Sequence, residues 1–350
     1  MPNKPHIAII SPCMGDYGGL EAFVLAIANG AAHDSLVTIE VVFKIVDDCP
    51  NENLLEKIRE SQVKAVFCRR LSFRLLRSIA RADLVHLQNP CPDVVLMSLL
   101  CFKPILLNII NYKKSAFSMR NMLWSISLKL ASRRFFISDF VRRSWEGAIA
   151  PIEKSKVVFP ICMLPNLKPL PPEQRNGFVF IARWIENKGL DTLLKAYSLA
   201  GLDSPSYPLR LLGDGPLRLS INSLISSLGL KNVYAPGFLS DAEKVNQFRK
   251  SRFAVIPPNT SEEFGLVAIE ARNLGLPCLI TLDGGLPEAA GTHCLACQPG
   301  NVQDLARILL EAVNMSEAEY IELADKAHDT LPQSVVKPAF YVKTYLSMIG

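Results

Sequence analysis

Acidic residues are scarce over one long stretch of this 350-residue chain. Residues 61–145 hold 15 Lys and Arg against Asp83, Asp93 and Asp139, with no Glu, a local net of +12. The whole chain carries only +5, so the remainder is at −7. Charged residues make up only 20% of the sequence and hydrophobic residues 49%, which excludes a disordered chain. No clean apolar run of about 18 residues occurs, so no membrane-spanning helix is expected. The nearest, Val94 to Ile110, is broken by Lys103 and Pro104. The apolar run after Met1 is too short for a signal peptide and is not followed by a small-residue cleavage site. A chain of this length can bury ordinary cores, which excludes a small disulfide-stapled scaffold, and its nine scattered Cys, an odd number, predict reduced thiols in a cytoplasmic protein. His293-Cys294-Leu-Ala-Cys297 holds one CxxC and no second ligand pair, so buried thiols are expected there rather than zinc.

What is present is an alternation. Short β-branched runs at His6–Ser11, Val37–Val46, Val63–Cys68, Leu84–Leu87 and Ile105–Ile110 are separated by helical patterns, among them Leu20–Gly30, Leu54–Ser61 and Ser72–Arg81. Phe135–Ser138 and Lys156–Phe159 continue the series. Prolines 160, 165, 169, 171 and 172 then mark a linker. Beyond them strands and helices alternate again from Phe178 to Val313. Two βα halves of this kind predict two doubly wound parallel sheets with a cleft between them, and ligands at the carboxyl ends of the strands.

Several of those loops carry chemistry. Glu262 and Glu270 stand eight positions apart around a helix start at Phe264-Gly265-Leu266. Unpaired N–H groups at such a start favour an anion, and carboxylates accept strongly from sugar hydroxyls. A capped helix with solvated glutamates fits the same spacing. Arg183 and Lys188, with Gly189, leave the first strand of the second half, a pairing suited to pyrophosphate or to a plain cationic surface. Gly213-Asp214-Gly215 and Asp283-Gly284-Gly285-Leu286-Pro287-Glu288 are turns that admit a ligand to the backbone, or simple turns. Gly18-Gly19-Leu20-Glu21 offers a further phosphate contact or an ordinary βα turn.

Taken in order, these motifs resemble glycosyltransferase family 4, retaining enzymes of the GT-B fold. The likeness is dense from about 178 to 300. Gly18 to Glu21 and the strand end Asp83-Leu-Val-His86 match its amino-terminal half. The resemblance implies an acceptor-binding Rossmann-like domain over 1–165, a nucleotide-sugar-binding one over 166–333, and a helix over 334–350 crossing back to the first. It implies a nucleoside-diphosphate-sugar donor and no metal. Glu270 would hold the ribose and Glu262 the sugar hydroxyls. Arg183 and Lys188 would neutralise the diphosphate. The backbone at Phe264, Gly265, Leu266 and Gly213, with the Gly18-Gly19 loop, would surround phosphate and sugar. A hexose would pass with retention to a hydroxyl of a glycan or lipid-linked acceptor of a bacterial surface polysaccharide or lipopolysaccharide. On the acceptor side the candidates are His86 and Asn111. The family's usual histidine after the fifth strand is missing from Asn108-Ile-Ile-Asn111-Tyr-Lys-Lys. The Asn111 amide can hydrogen-bond a sugar but cannot take its proton. A non-catalytic scaffold binding a sugar nucleotide and a nucleotide-sugar epimerase are the alternatives. No recognisable nucleic-acid-binding motif accompanies the basic stretch.

Arg70, Arg74, Arg77 and Arg81 fall on one helical stripe, with Leu75, Leu76 and Ile79 towards the other side. A second basic, apolar segment runs from Phe117 to Arg134. Such helices suit an anionic leaflet, so peripheral contact with the inner face of the plasma membrane is expected.

Overall fold

The computed structural model describes residues 4–46, 49–61, 63–114, 118–147, 153–164, 167, 169–237, 239–331 and 335–350. Pro165 of the linker and Phe117 of the basic segment lie outside the described residues. The chain divides into two units, Met1–Met163 with Val335–Gly350, and Leu164–Ser334.

In the first unit, β1 (His6–Cys13), α1 (Gly19–His33), β2 (Thr38–Ile45), α2 (Glu52–Glu60) and β3 (Lys64–Cys68) build one half of a sheet. α3 (Phe73–Arg81), β4 (Leu84–Gln88), α4 (Pro92–Leu100), β5 (Ile105–Ile109), α5 (Met119–Leu130), β6 (Arg133–Phe136), α6 (Asp139–Glu146) and β7 (Ser155–Val157) build the other. The strand order is β3-β2-β1-β4-β5-β6-β7, parallel throughout. Every residue of β4 and β5 is buried, as a sheet covered on both faces requires. Right-handed crossovers put α1 and α2 on one face and α3 to α6 on the other. Ser72 and Ser138 cap α3 and α6, accepting from Leu75 N at 3.2 Å and Val141 N at 3.1 Å.

The second unit runs β8 (Phe178–Ile181), α7 (Leu190–Leu199), β9 (Leu209–Leu212), α8 (Arg218–Ser227), β10 (Val233–Gly237), α9 (Asp241–Lys250) and β11 (Phe253–Ile256). It continues with α10 (Leu266–Asn273), β12 (Cys278–Thr281), α11 (Leu286–Ala290), β13 (Cys294–Cys297), α12 (Val302–Asn314) and α13 (Glu317–Asp329). The order is β10-β9-β8-β11-β12-β13, again parallel. A last helix, α14 (Pro338–Ile349), belongs to the first unit, where it packs on α1 and β4. Its Tyr341 and Tyr345 are buried there.

The structure corrects several expectations. Pro92–Leu100 is a helix that the apolar run through Ile110 concealed, because buried helix and strand share that composition. The CxxC is strand β13. Residues three apart on a strand point to opposite faces, so Cys294 and Cys297 cannot converge on one metal. Burial pushes the Cys297 and Cys278 thiols up to about 12. Arg70 precedes the Ser72 cap, so only Arg74, Arg77 and Arg81 lie on α3, and Leu76 is exposed among them. Among the described residues, no helix is long and apolar enough to cross a membrane.

Candidate functional site

Strand order reverses in the second unit between β8 and β11, and ligands bind doubly wound sheets at such a switch point. The loops leaving these two strands carry Lys188 and Glu262. The Lys188 ammonium donates to both carboxylate oxygens of Glu262 at 2.8 and 2.8 Å. Both side chains remain partly open to solvent. A cation and a carboxylate 74 positions apart in sequence thus share one point at the sheet's edge.

Backbone contacts hold that point in place. Gly284 sits at φ 67°, and a Cβ there would lie 2.2 Å from the Glu262 carbonyl oxygen. The Gly285 N–H donates to that oxygen at 2.8 Å. The Ser261 hydroxyl donates to both Asp283 oxygens, at 3.0 and 2.9 Å. The Asp283 carboxylate also accepts from Gly284 N at 2.7 Å. The Glu262 loop is therefore laid on the Asp283–Gly285 turn. Gly285 itself has φ −90°, so this is not a type I′ turn; it caps the start of α11.

Arg183 lies exposed on the β8 loop. Trp184 beside it is fully buried and anchors that loop, its backbone N–H donating to Asp214 O at 2.9 Å and its carbonyl accepting from Leu217 N at 3.2 Å. Gly213 lets the loops approach: a Cβ there would stand 2.0 Å from Ala182 O, and its N–H donates to Gly237 O at 3.1 Å. Gly213 thus seats Arg183 rather than offering its own amide to a ligand.

α10 begins at Gly265, φ 104°, with no side-chain cap on its first turn. Phe264 is buried, Leu266 half-buried, and Glu270 one turn further on is 7% exposed. The same helix carries a residue the sequence reading passed over. Arg272 is 2% exposed and donates to Ala327 O at 2.9 Å, Ala289 O at 2.6 Å and Thr330 Oγ1 at 2.8 Å. It ties α10 to α11 and α13. No period in the sequence distinguishes it from a solvated arginine.

The candidates of the first unit fare differently. His86 is in the middle of β4, not at its end, and is wholly buried. Its Nδ1 lies 2.7 Å from the Tyr345 hydroxyl and its Nε2 3.1 Å from the Gln88 amide nitrogen, while Tyr341 stacks on the ring at 5.5 Å. Burial lowers its pKa to about 3. No acceptor reaches such a ring, so His86 is a core residue. Asn111 is half-buried after β5. Its N–H and that of Ile110 donate to Asn89 Oδ1, at 3.1 and 2.9 Å. Asn89, at φ 57°, thereby pins this loop to the end of β4, a role absent from the sequence reading. At the start of α1 the Gly18 N–H donates to Glu21 Oε2 at 3.1 Å. The Gly18 N–H is thus engaged by a carboxylate of the chain's own first helical turn. Among the described residues, no group of three or more His, Cys, Asp or Glu could hold a metal ion.

Residues 167–327 match the family model described as glycosyl transferases group 1. An uncharacterized glycosyltransferase of Methanocaldococcus jannaschii is 31% identical over 144 residues, 41% of this chain and 39% of that protein. The chain thus spans well under half the length of this first relative. One from Haemophilus influenzae is 20% identical over 329 residues, 90% of this chain and 92% of its own. The crystal structure of HepE from Anabaena in complex with UDP and glucose aligns with TM-score 0.76 and 17% identity, covering 97% of this chain and 99% of that one. The chain has the GT-B glycosyltransferase fold, and its second unit carries the match to glycosyl transferases group 1.

Proposed function

We propose that this protein is a retaining glycosyltransferase. It moves a hexose-type sugar from a nucleoside diphosphate to a hydroxyl of a glycan or lipid-linked acceptor in the synthesis of a bacterial surface polysaccharide or lipopolysaccharide. The observation that carries the reading is the Lys188–Glu262 cluster at the β8/β11 switch point. Lys188 and the exposed Arg183 neutralise the diphosphate as it leaves, in place of a metal. Glu262 holds sugar hydroxyls once donor binding draws Lys188 towards phosphate. Glu270 holds the ribose, and the amides at Phe264 to Leu266 receive the phosphates. The acceptor oxygen bonds to the anomeric carbon on the face from which the phosphate oxygen departs. The diphosphate takes the hydroxyl proton, a step suited to a chain whose Asn111 has no base to offer. Donor binding belongs to the second unit and acceptor binding to the first, and the reaction runs in the cytoplasm.

Thermal shift with a panel of nucleotide-sugars identifies the donor, followed by product analysis with EDTA present. Glycoside plus free nucleoside diphosphate is the expected result. An isomerised donor, or binding without turnover on any acceptor, refutes the reading. Glu270→Ala is expected to weaken nucleotide binding at least tenfold (about 1.4 kcal/mol), and unchanged affinity removes its ribose role.

A further inference from the structure

One face of the first unit is both apolar and basic. α3, α4 and α5 pack side by side on it. A soluble helix turns its apolar residues inward. Here α3 buries Leu75 and Ile79 but leaves Phe73 at 79% exposure, and α5 buries only Ser127 and Leu128. Leu96 and Leu100 of α4, and Met119 and Met122 of α5, also face solvent.

Two positions argue that this exposure is held in place. Leu71, just before α3, and Phe102, just after α4, are 64% and 94% exposed. Both have left-handed backbones, φ 53° and 55°. That region disfavours residues with a bulky side chain, and glycine or asparagine would occupy it more cheaply. A large apolar group at each point therefore adds strain and buries little within the unit, least of all at Phe102. Its stabilisation has to come from outside.

The charge names the outside partner. Arg74, Arg77 and Arg81 of α3, Lys103 beside Phe102, and Arg120 and Lys129 of α5 lie among these apolar groups and are positive. The three helices contain one acidic residue, Asp93, which is buried against Lys44 at 2.8 Å. A second protein surface would need a matching acidic apolar face. The chain's own acidic stretch, residues 301–329 with seven Asp and Glu against Arg307 and Lys326, exposes only Leu310 and Ile321 among large apolar residues, too few to cover Leu71, Phe73, Leu100, Phe102 and Met119. A nucleic acid would take the arginines and stack a base on Phe102, but it offers no apolar medium for Leu96, Leu100, Met119 and Met122. An anionic bilayer takes both, phosphates to the cations and acyl chains to the apolar groups.

We propose that the α3–α4–α5 face, with Leu71 and Phe102 as inserted side chains, docks the first unit onto a membrane rich in anionic lipid. This deepens the proposed glycosyl transfer by giving the acceptor side a lipid surface, and it rests on that reading only for its purpose. Docking itself needs no donor.

The test is co-sedimentation of the full-length protein with vesicles of phosphatidylcholine alone or with 30% phosphatidylglycerol added, at about 50 and 300 mM salt. Trp124 of α5, stacked under Arg120 at 4.4 Å, reports insertion through quenching by brominated acyl chains. Expected are binding to the anionic vesicles only, loss at high salt, and quenching on binding. Phe102→Asp is expected to weaken partition at least about tenfold. Arg74→Glu with Arg77→Glu changes the charge by four units and should weaken it roughly 600-fold, at about fivefold per unit of charge. All these residues are exposed, so thermal midpoints should not fall. Failure to bind anionic vesicles overturns the proposal, as does wild-type partition of Phe102→Asp. So does a concentration-dependent dimer that Phe102→Asp dissolves, which would make a second copy the occupant. Nucleotide-sugar binding, measured on the same samples without vesicles, separates this failure from that of the proposed reaction.

Discussion

Replacing Gly284 by Ala should disable the proposed donor site while leaving the sheet intact. The added Cβ would lie 2.2 Å from Glu262 O and 2.7 Å from Glu262 N, both backbone atoms. Ordinary contact begins near 3.4 Å, so Glu262 must retreat by about 1 Å, or the turn must open and break the 2.8 Å bond from Gly285 N. A displacement of that size at a positioning residue costs on the order of a hundredfold in turnover. The left-handed φ adds roughly 1 kcal/mol of destabilisation by itself. Gly300→Ala separates the two effects, because Gly300 has nearly the same φ, 68°, and nothing within 4 Å of its Cβ position. Both variants should lose about the same first kilocalorie in urea unfolding, with further loss in Gly284→Ala alone. Only Gly284→Ala should lose sugar transfer. Equal transfer rates in the two variants would refute the claim that the Asp283–Gly285 turn positions Glu262.

Arg272→Met should destabilise the second unit by roughly 3 kcal/mol, since it leaves buried acceptors at Ala327, Ala289 and Thr330 without a donor. Urea unfolding checks this, and a loss under 1 kcal/mol would show that α10 does not depend on it. His86 gives a pH dependence. Its pKa falls to about 3 on folding because burial disfavours the charged ring, so between 3 and the ordinary 6.5 the unfolded chain binds the extra proton. Its contribution is complete above about 6.5 and is lost as pH falls, reaching about 2 kcal/mol at pH 5. His86→Gln should flatten the stability profile between pH 5 and 7 relative to wild type; parallel profiles would place the loss elsewhere.

The second unit was legible in the sequence because its chemistry is local. Lys188 follows β8 and Glu262 follows β11 in short loops, and strand order brings loops of that kind together. The residues that hold them were not legible. Trp184, Arg272 and the Ser261–Asp283 link act through partners 17 to 58 positions away, and nothing in their own neighbourhood marks them. In the first unit the difficulty was the reverse. His86 carries the right chemistry at a plausible position, but its environment is set by Tyr341 and Tyr345 from the far end of the chain. The arginine stripe was visible by spacing, whereas its apolar half was not. Nothing marks Leu96 and Leu100 as outward, because sequence cannot distinguish an outward from an inward leucine on a helix as apolar as α4, whose polar residues Asp93 and Ser98 are themselves buried.

That helix α14 belongs to the first unit has a consequence for synthesis. Domains commonly fold in the order in which they leave the ribosome. Here the first unit is short of a core helix until residues 338–349 have been made, by which time the whole of 164–334 is already available. β4 meanwhile carries a buried histidine whose tyrosine partners do not yet exist. The unit translated first is thus the one completed last, and during that interval its unfinished sheet is the part of the nascent chain most in need of a chaperone.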